Sequence, residues 1–378
     1  MRTSVARLVS LVLSSAAILV LLPPEWTAVR AADAAVGIFA DQGDVGSVLH
    51  PGSAVFDPEA RTYTVTGSGD NIWAARDAFH FVWKKAAGDL ALTADVFFPG
   101  TGKEAHRKAC LLIRQSLDAD AAYVDAALHG DGLTSLQFRE ARGAATHEVQ
   151  ANVAGPGRLR LEKRGKYVLL YLGTKGEAPR FSGAAVRLTF EEPFYIGLGV
   201  CAHNRDEVEK AVFANVELTA PLPAPSRRPV IWSTLETQTL SSADRRVVHA
   251  TPGRIEAPNW LHDGRWLLYN SGGRLYRIRA AGGAPVALDT GFARHCNNDH
   301  GVSPDGTLLA ISDQSRGRRQ SLIYTVPVGG GTPRLVTPTG PSYWHGWSPD
   351  GKTLVYCGER DGEFDIYRIP VEGGRASR

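Results

Sequence analysis

Gly346-Trp-Ser-Pro-Asp-Gly-Lys-Thr-Leu-Val-Tyr356 decides how the C-terminal part of the chain is read. Ser-Pro-Asp-Gly is a tight-turn sequence, because Pro presets φ and Asp and Gly complete the reversal. The same frame occurs twice more, in Asn259-Trp-Leu-His-Asp-Gly-Arg-Trp-Leu-Leu-Tyr269 and in Gly301-Val-Ser-Pro-Asp-Gly-Thr-Leu-Leu-Ala-Ile311. The turns begin at Asp263, Asp305 and Asp350, 42 and 45 residues apart. Each is followed by a short strand signature, Leu275-Tyr-Arg-Ile278, Ile323-Tyr-Thr-Val326 or Ile366-Tyr-Arg-Ile369, and then by paired glycines at Gly282-Gly283, Gly329-Gly330 and Gly373-Gly374. An inner strand, an Asp-Gly turn, a second and third strand, a glycine hairpin and a short fourth strand make one propeller blade in about 43 residues.

Working outward from the repeat, the rest of the chain also reads as strands. Of 378 residues 43% are hydrophobic and 21% charged, and 40 Gly and 22 Pro stand against a single Met. That balance favours many short strands and turns over a helical bundle. Tyr63 and Val65 alternate with threonines, and Leu90–Phe98, Ala109–Gln115 and Phe194–Val200 are strand-like. Arg158-Leu-Arg-Leu-Glu-Lys163 turns through Arg164-Gly165 into Tyr167-Val-Leu-Leu-Tyr-Leu172, a hairpin pattern. The fold class is therefore all-β: a jelly-roll sandwich over 37–218, a Pro-rich linker over 219–229 with four prolines between Ala220 and Pro229, and an incomplete propeller over 230–378. Ile231–Leu235 and Arg245–His249 read as two further outer strands at the start of the propeller segment.

A net charge of +3 is too small and too evenly spread for a nucleic-acid partner. The single long apolar run, Leu8 to Leu22 interrupted by three serines, follows Arg2 and Arg7 and precedes the small residues of Val29-Arg30-Ala31. It reads as a signal peptide over 1–31, cleaved after Ala31, and leaves no membrane span in the mature chain. The location expected is periplasmic or secreted. Cys110, Cys201, Cys296 and Cys357 match no metal-knuckle spacing; buried thiols or a Cys110–Cys201 bridge both fit the sequence.

Trp347-Ser-Pro-Asp-Gly-Lys352 resembles the TolB-type, WD40-like propeller repeat over about Ile255 to Arg378. The strand pattern of the N-terminal part, with His129-Gly-Asp-Gly-Leu-Thr-Ser-Leu-Gln-Phe138, resembles a concanavalin A-like lectin/glucanase sandwich. The resemblance implies a Tol-Pal-like component of the bacterial envelope. It also implies a ring of six blades, of which 230–378 holds about three. A truncated product is the expectation, with a ring completed by other chains as the alternative.

The richest polar cluster is His295-Cys-Asn-Asn-Asp-His300. Stacking the repeats on their Asp-Gly turns aligns Glu256 with Asn298 and Tyr343, and places His300 beside His345. Glu256, His295, Asn298, Asp299, His300, Tyr343, Trp344 and His345 are thus candidates for one ligand-binding mouth, where imidazoles, amides, acids and aromatics suit a sugar or a peptide. Two histidines with Asp299 also suit a divalent metal, and the plain structural alternative is turn capping and packing between blades. In the sandwich, Trp73, Phe79, His80 and Trp83 offer sugar-stacking faces or core filling. His106, Lys108, Arg114, His129 and Asp131 add polar groups, and Asp118, Asp120 and Asp131 are of a type that ligates Ca²⁺. The adjacent Glu191-Glu192 point opposite ways and do not make a glycosidase pair. No nucleophile elbow, zinc-protease helix or phosphate loop occurs. The reading is a non-catalytic exported binding protein with a glycan or envelope-protein partner and no cofactor. The alternative is a polysaccharide-lyase-like propeller enzyme using His295, His300 and His345.

Overall fold

Alternation along the strand Lys108–Arg114 separates two apolar layers. Ala109, Leu111 and Ile113 join Leu92, Leu159, Leu161, Leu170 and Leu198 in the largest core cluster. Cys110 and Leu112 point the other way, into a smaller cluster with Ile72, Phe79, Phe81, Tyr123 and Cys201. All seven residues of the strand are buried, because both of its faces are covered. Each large aliphatic side chain buried here stabilises the fold by about 1.5–3 kcal/mol.

The computed structural model describes residues 35–221, 230–316 and 320–378, and every regular element among them is a β-strand. The segment read as a signal peptide, 1–31, and most of the segment read as a linker, 219–229, lie outside the described residues. Two large sheets meet in the main core. One has nine strands in the order Asp41–Val45, Phe79–Ala86, Phe194–Cys201, Lys108–Arg114, Tyr123–His129, Thr134–Arg139, Thr146–Gln150, Arg245–Pro252 and Trp232–Gln238. The other has seven, ordered Arg180–Arg187, Tyr167–Gly173, Arg158–Arg164, Leu90–Phe97, Asn204–Thr219, Thr62–Gly69 and Ser53–Asp57. Neighbours are antiparallel except for Thr146–Gln150 and Arg245–Pro252, which run parallel.

Three small antiparallel sheets follow, each built around one repeat. The first comprises Glu256–Trp260, Trp266–Ser271, Arg274–Arg279 and Val286–Ala287. The second comprises Cys296–Val302, Leu308–Asp313, Leu322–Pro327 and Arg334–Leu335, and the third Ser342–Trp347, Thr353–Arg360 and Glu363–Pro370. In the third, Ser377 pairs with Arg368 at the place of a fourth strand. Leu309 and Ile311 pack toward the first sheet and Ala310 toward the third. Burial on both faces explains the unbroken apolar run there. The Asp-Gly turns close as the sequence implies: Gly306 and Gly351 take φ of 75° and 69°, and Asp305 and Asp350 accept from the backbone N–H of Thr307 and Lys352 at 3.0 Å.

The hairpin Trp232–Gln238/Arg245–Pro252 links the two halves. Its edge extends the nine-stranded sheet, while Leu235 and Val248 pack against Leu267, Tyr269 and Ile278 of the first small sheet.

Candidate functional site

The registers of the nine-stranded sheet arrange its outward side chains in rows. Cys201, Lys108 and His129 lie side by side on neighbouring strands. The next row is Gly199, Cys110, Ala127, Ser135 and Gln150, and the one after it Leu112, Asp125, Gln137 and Glu148. A fourth row holds Arg114, Tyr123, Arg139 and Thr146. A period of two thus places thirteen polar or titratable side chains on one face, although they come from sequence positions far apart.

The fourth row holds a hairpin over this face. Ile72–Trp73 pairs with Arg76–Asp77, and Ala74 at its turn has φ of 51°. Side chains from the sheet satisfy the hairpin's carbonyls. The Ile72 carbonyl accepts from Lys108 Nζ at 2.8 Å, and the Ala74 carbonyl accepts from Thr146 Oγ1 at 2.9 Å and Arg139 Nη2 at 3.0 Å. Asp77 accepts from Arg114 Nη1 at 2.7 Å and from Arg139 Nη2 at 2.7 Å, with all three side chains fully buried. The Asp77–Arg114–Arg139 triad fixes where Trp73 stands.

Between the hairpin and the first rows lies a cavity of about 320 Å³ lined by Asn71, Trp73, His106, Lys108, His129, Gln137, Glu148, Gln150 and His203. Lys108 is buried and donates to Asn71 Oδ1 at 2.8 Å and Gln137 Oε1 at 3.1 Å as well as to the Ile72 carbonyl. These three bonds use all three donors of the ammonium. Gln150 Nε2 donates to Glu148 Oε1 at 2.7 Å. Burial is the main force holding His129 neutral, down to a pKa of about 3, with the charge of Lys108 next. Burial likewise lowers His203. Beneath the pocket, Asp125 is fully buried and its carboxyl is pushed up to about 7 by desolvation, against the pull of Lys108. His106, His129 and Asp131 bring one potential ligand atom each within 4.8 Å of one another.

No protein-family model matches the chain. An uncharacterized protein of Agrobacterium fabrum is 54% identical over 147 residues, which are 39% of this chain and 50% of that protein. The chain spans about half the length of this curated relative. A solved structure described as putative TolB from Agrobacterium tumefaciens is 51% identical, covering 40% of this chain and 54% of that one at a TM-score of 0.38. A functionally unknown protein from Saccharomyces cerevisiae is 17% identical over 46% of this chain and 97% of its own, with a TM-score of 0.36. TolB and WD40 propeller structures are among the structural neighbours.

The residues singled out in the repeats lie on, or next to, the first strands of the three small sheets. Glu256 sits 3.8 Å from Arg254, and His295 Nδ1 meets Ser315 Oγ at 3.3 Å on an exposed rim. Asn298 is exposed, while Asp299 accepts from Asn297 Nδ2 at 2.9 Å; burial raises its carboxyl, and the charge of His345 opposes this. His300 is buried, neither ring nitrogen has a hydrogen-bond partner among the described residues, and desolvation lowers it to about 4. Trp344 packs on Gly301, where an added Cβ would lie 2.2 Å from the indole, and its Nε1 has no hydrogen-bond partner among the described residues. Tyr343 pairs with Cys357, and His345 is exposed. Asp299 feels the charge of His345, but His295, His300 and His345 form no common group of metal-ligating atoms among the described residues.

In the N-terminal sheets, Trp73 alone of the four aromatic candidates lines the pocket. Phe79 is core, Trp83 packs against its cluster, and His80 is buried with Nδ1 on Asp44 at 2.8 Å. Asp118 and Asp120 pair with Arg142, away from Asp131's group. Cys110 and Cys201 are free thiols, offset diagonally on adjacent strands. The sequence reading missed Asn71, Gln137, Glu148, Gln150 and His203. Gln137, Glu148 and Gln150 share only strand parity, which becomes visible once the strand order is known, and Asn71 and His203 lie just outside strands, with no pattern of their own.

Proposed function

We propose that the chain is an exported envelope protein that binds carbohydrate in the pocket on the nine-stranded sheet. The two large sheets would form a concanavalin A-like sandwich, and the three small sheets blades of a TolB-like propeller. The observation that carries the reading is the half-buried Trp73 indole, held by a buried ionic triad over a floor of amides, a carboxylate and neutral imidazoles. An indole face packs on the C–H side of a sugar ring, while Asn71, Gln137, Gln150 and Glu148 offer donors and acceptors to hydroxyls. The local resemblance to a protein described as putative TolB supports a periplasmic, Tol-Pal-like setting, with the small sheets as the face toward an envelope protein.

A glycan array followed by calorimetry on the hit tests the proposal. Trp73→Ala removes one stacking face, worth about 1–3 kcal/mol in comparable ring stacking, and is expected to weaken binding at least tenfold with the fold retained. A hit whose affinity is unchanged by Trp73→Ala contradicts the assignment.

A further inference from the structure

We propose that the end of the pocket beside His129 is a divalent transition-metal site formed by His106, His129 and Asp131, with His203 as a fourth donor. His106 Nδ1 and His129 Nδ1 are 3.2 Å apart, and the Asp131 carboxylate completes a group whose ligand atoms fall within 4.8 Å. Two nitrogens on one tetrahedral ion, each bonded at about 2.0–2.1 Å, lie at nearly that separation. The His203 ring is 5.5 Å from that of His106, and its Nδ1 is buried without a hydrogen-bond partner among the described residues. His203 also occupies a left-handed backbone position, with φ of 60°. Such a conformation is uncommon for a residue with a Cβ and is often retained where a side chain must be aimed. Two or three imidazoles with a carboxylate make a donor set for Zn²⁺, Co²⁺ or Ni²⁺ rather than Ca²⁺.

The groups that hydrogen-bond His129 show what the metal must change. Lys108 Nζ donates to Gln137 Oε1 at 3.1 Å, so the Gln137 amide nitrogen faces His129 Nε2 at 3.3 Å. That orientation makes His129 Nε2 an acceptor and puts the imidazole proton on Nδ1, where it bridges to His106. A metal on His129 Nδ1 requires the other tautomer, with the proton on Nε2 and an acceptor opposite it. Gln137 supplies this acceptor by turning its amide. Lys108 then keeps Asn71 Oδ1 and the Ile72 carbonyl. Gln137 is thus a positioning residue that holds the metal-free tautomer. In Gln137→Glu, one carboxylate oxygen accepts from Lys108 and the other from His129 Nε2–H, which favours the metal-ready ring.

The test titrates ZnCl₂ into the full chain by calorimetry and CoCl₂ by visible absorption, with no sugar present, so its outcome is separate from that of the carbohydrate proposal. The expected result is one ion per chain and a tetrahedral Co²⁺ band. The exposed His106→Ala should weaken binding at least tenfold with the melting temperature of the metal-free chain unchanged. Gln137→Glu should tighten it about tenfold, the low end of the 10- to 100-fold effect typical of outer-shell partners. Absence of stoichiometric binding overturns the proposal, as does binding that is indifferent to His106→Ala. Weaker binding in Gln137→Glu overturns the role given to Gln137.

Discussion

Replacing Asp77 by Asn removes one charge and leaves the shape of the side chain almost unchanged. Asp77 accepts three hydrogen bonds, from Arg114 Nη1 at 2.7 Å and from Arg139 Nη1 and Nη2 at 2.9 and 2.7 Å. Both guanidiniums are fully buried, and their remaining donors go to carbonyls such as those of Asp118, Ala74 and Ala121. No other carboxylate pairs with either arginine among the described residues. Asn therefore leaves two buried cations uncompensated and turns an amide N–H toward one of them. Breaking a buried pair in this way costs about 3–5 kcal/mol. At about 2–4 °C per kcal/mol for a body of this size, the unfolding midpoint should fall by roughly 10 °C. The loss has a location, because the triad pins the hairpin that carries Trp73. Amide exchange at residues 72–77 should accelerate before that of the strand Leu90–Phe97. Asp118→Asn is the control: Asp118 pairs with Arg142 at the surface, and its removal should cost less than about 1 kcal/mol. If Asp77→Asn costs no more than Asp118→Asn, or if exchange in the hairpin is unchanged, the triad does not hold the pocket wall.

Two further outcomes follow from single contacts. The Asp125 carboxyl is raised by desolvation from 3.8 to about 7, so its stabilising neutral form is fully present below about pH 4 and is lost as pH rises through 7. About three pKa units correspond to at most on the order of 4 kcal/mol. Urea midpoints of Asp125→Asn should gain on wild type between pH 5 and pH 8.5, and parallel profiles would contradict this. Gly301→Ala places a Cβ 2.2 Å from the Trp344 ring, so the indole must move, at a cost of about 1–3 kcal/mol read as a lower midpoint and altered tryptophan fluorescence. An unchanged midpoint would show that the second and third small sheets are not packed through this contact.

The repeat was legible because each of its signals is local. The Ser-Pro-Asp-Gly turn, the strand after it and the glycine pair all lie within one span of some 43 residues, and the structure builds a small sheet on each. The hairpin Arg158–Arg164/Tyr167–Gly173 was legible for the same reason. The pocket was not, because its walls are assembled by register. Lys108 and His129 become neighbours through strand pairing, and Gln137 and Glu148 meet on two further strands. Trp73 stood out as an aromatic, but its sequence neighbours Phe79 and Trp83 looked equivalent. What separates them is the hairpin turn at Ala74 and the buried triad behind it. The fate of Trp232–Gln238 and Arg245–Pro252 likewise depends on a parallel pairing with Thr146–Gln150 that no local pattern announces.

The most direct measurement follows indole and imidazole resonances of the full chain during titration with the oligosaccharide selected by the array. Binding in the pocket should shift Trp73 together with His106 and leave Trp344 and His345 in place. Shifts at Trp344 and His345 with Trp73 silent would contradict the account and move the ligand to the small sheets.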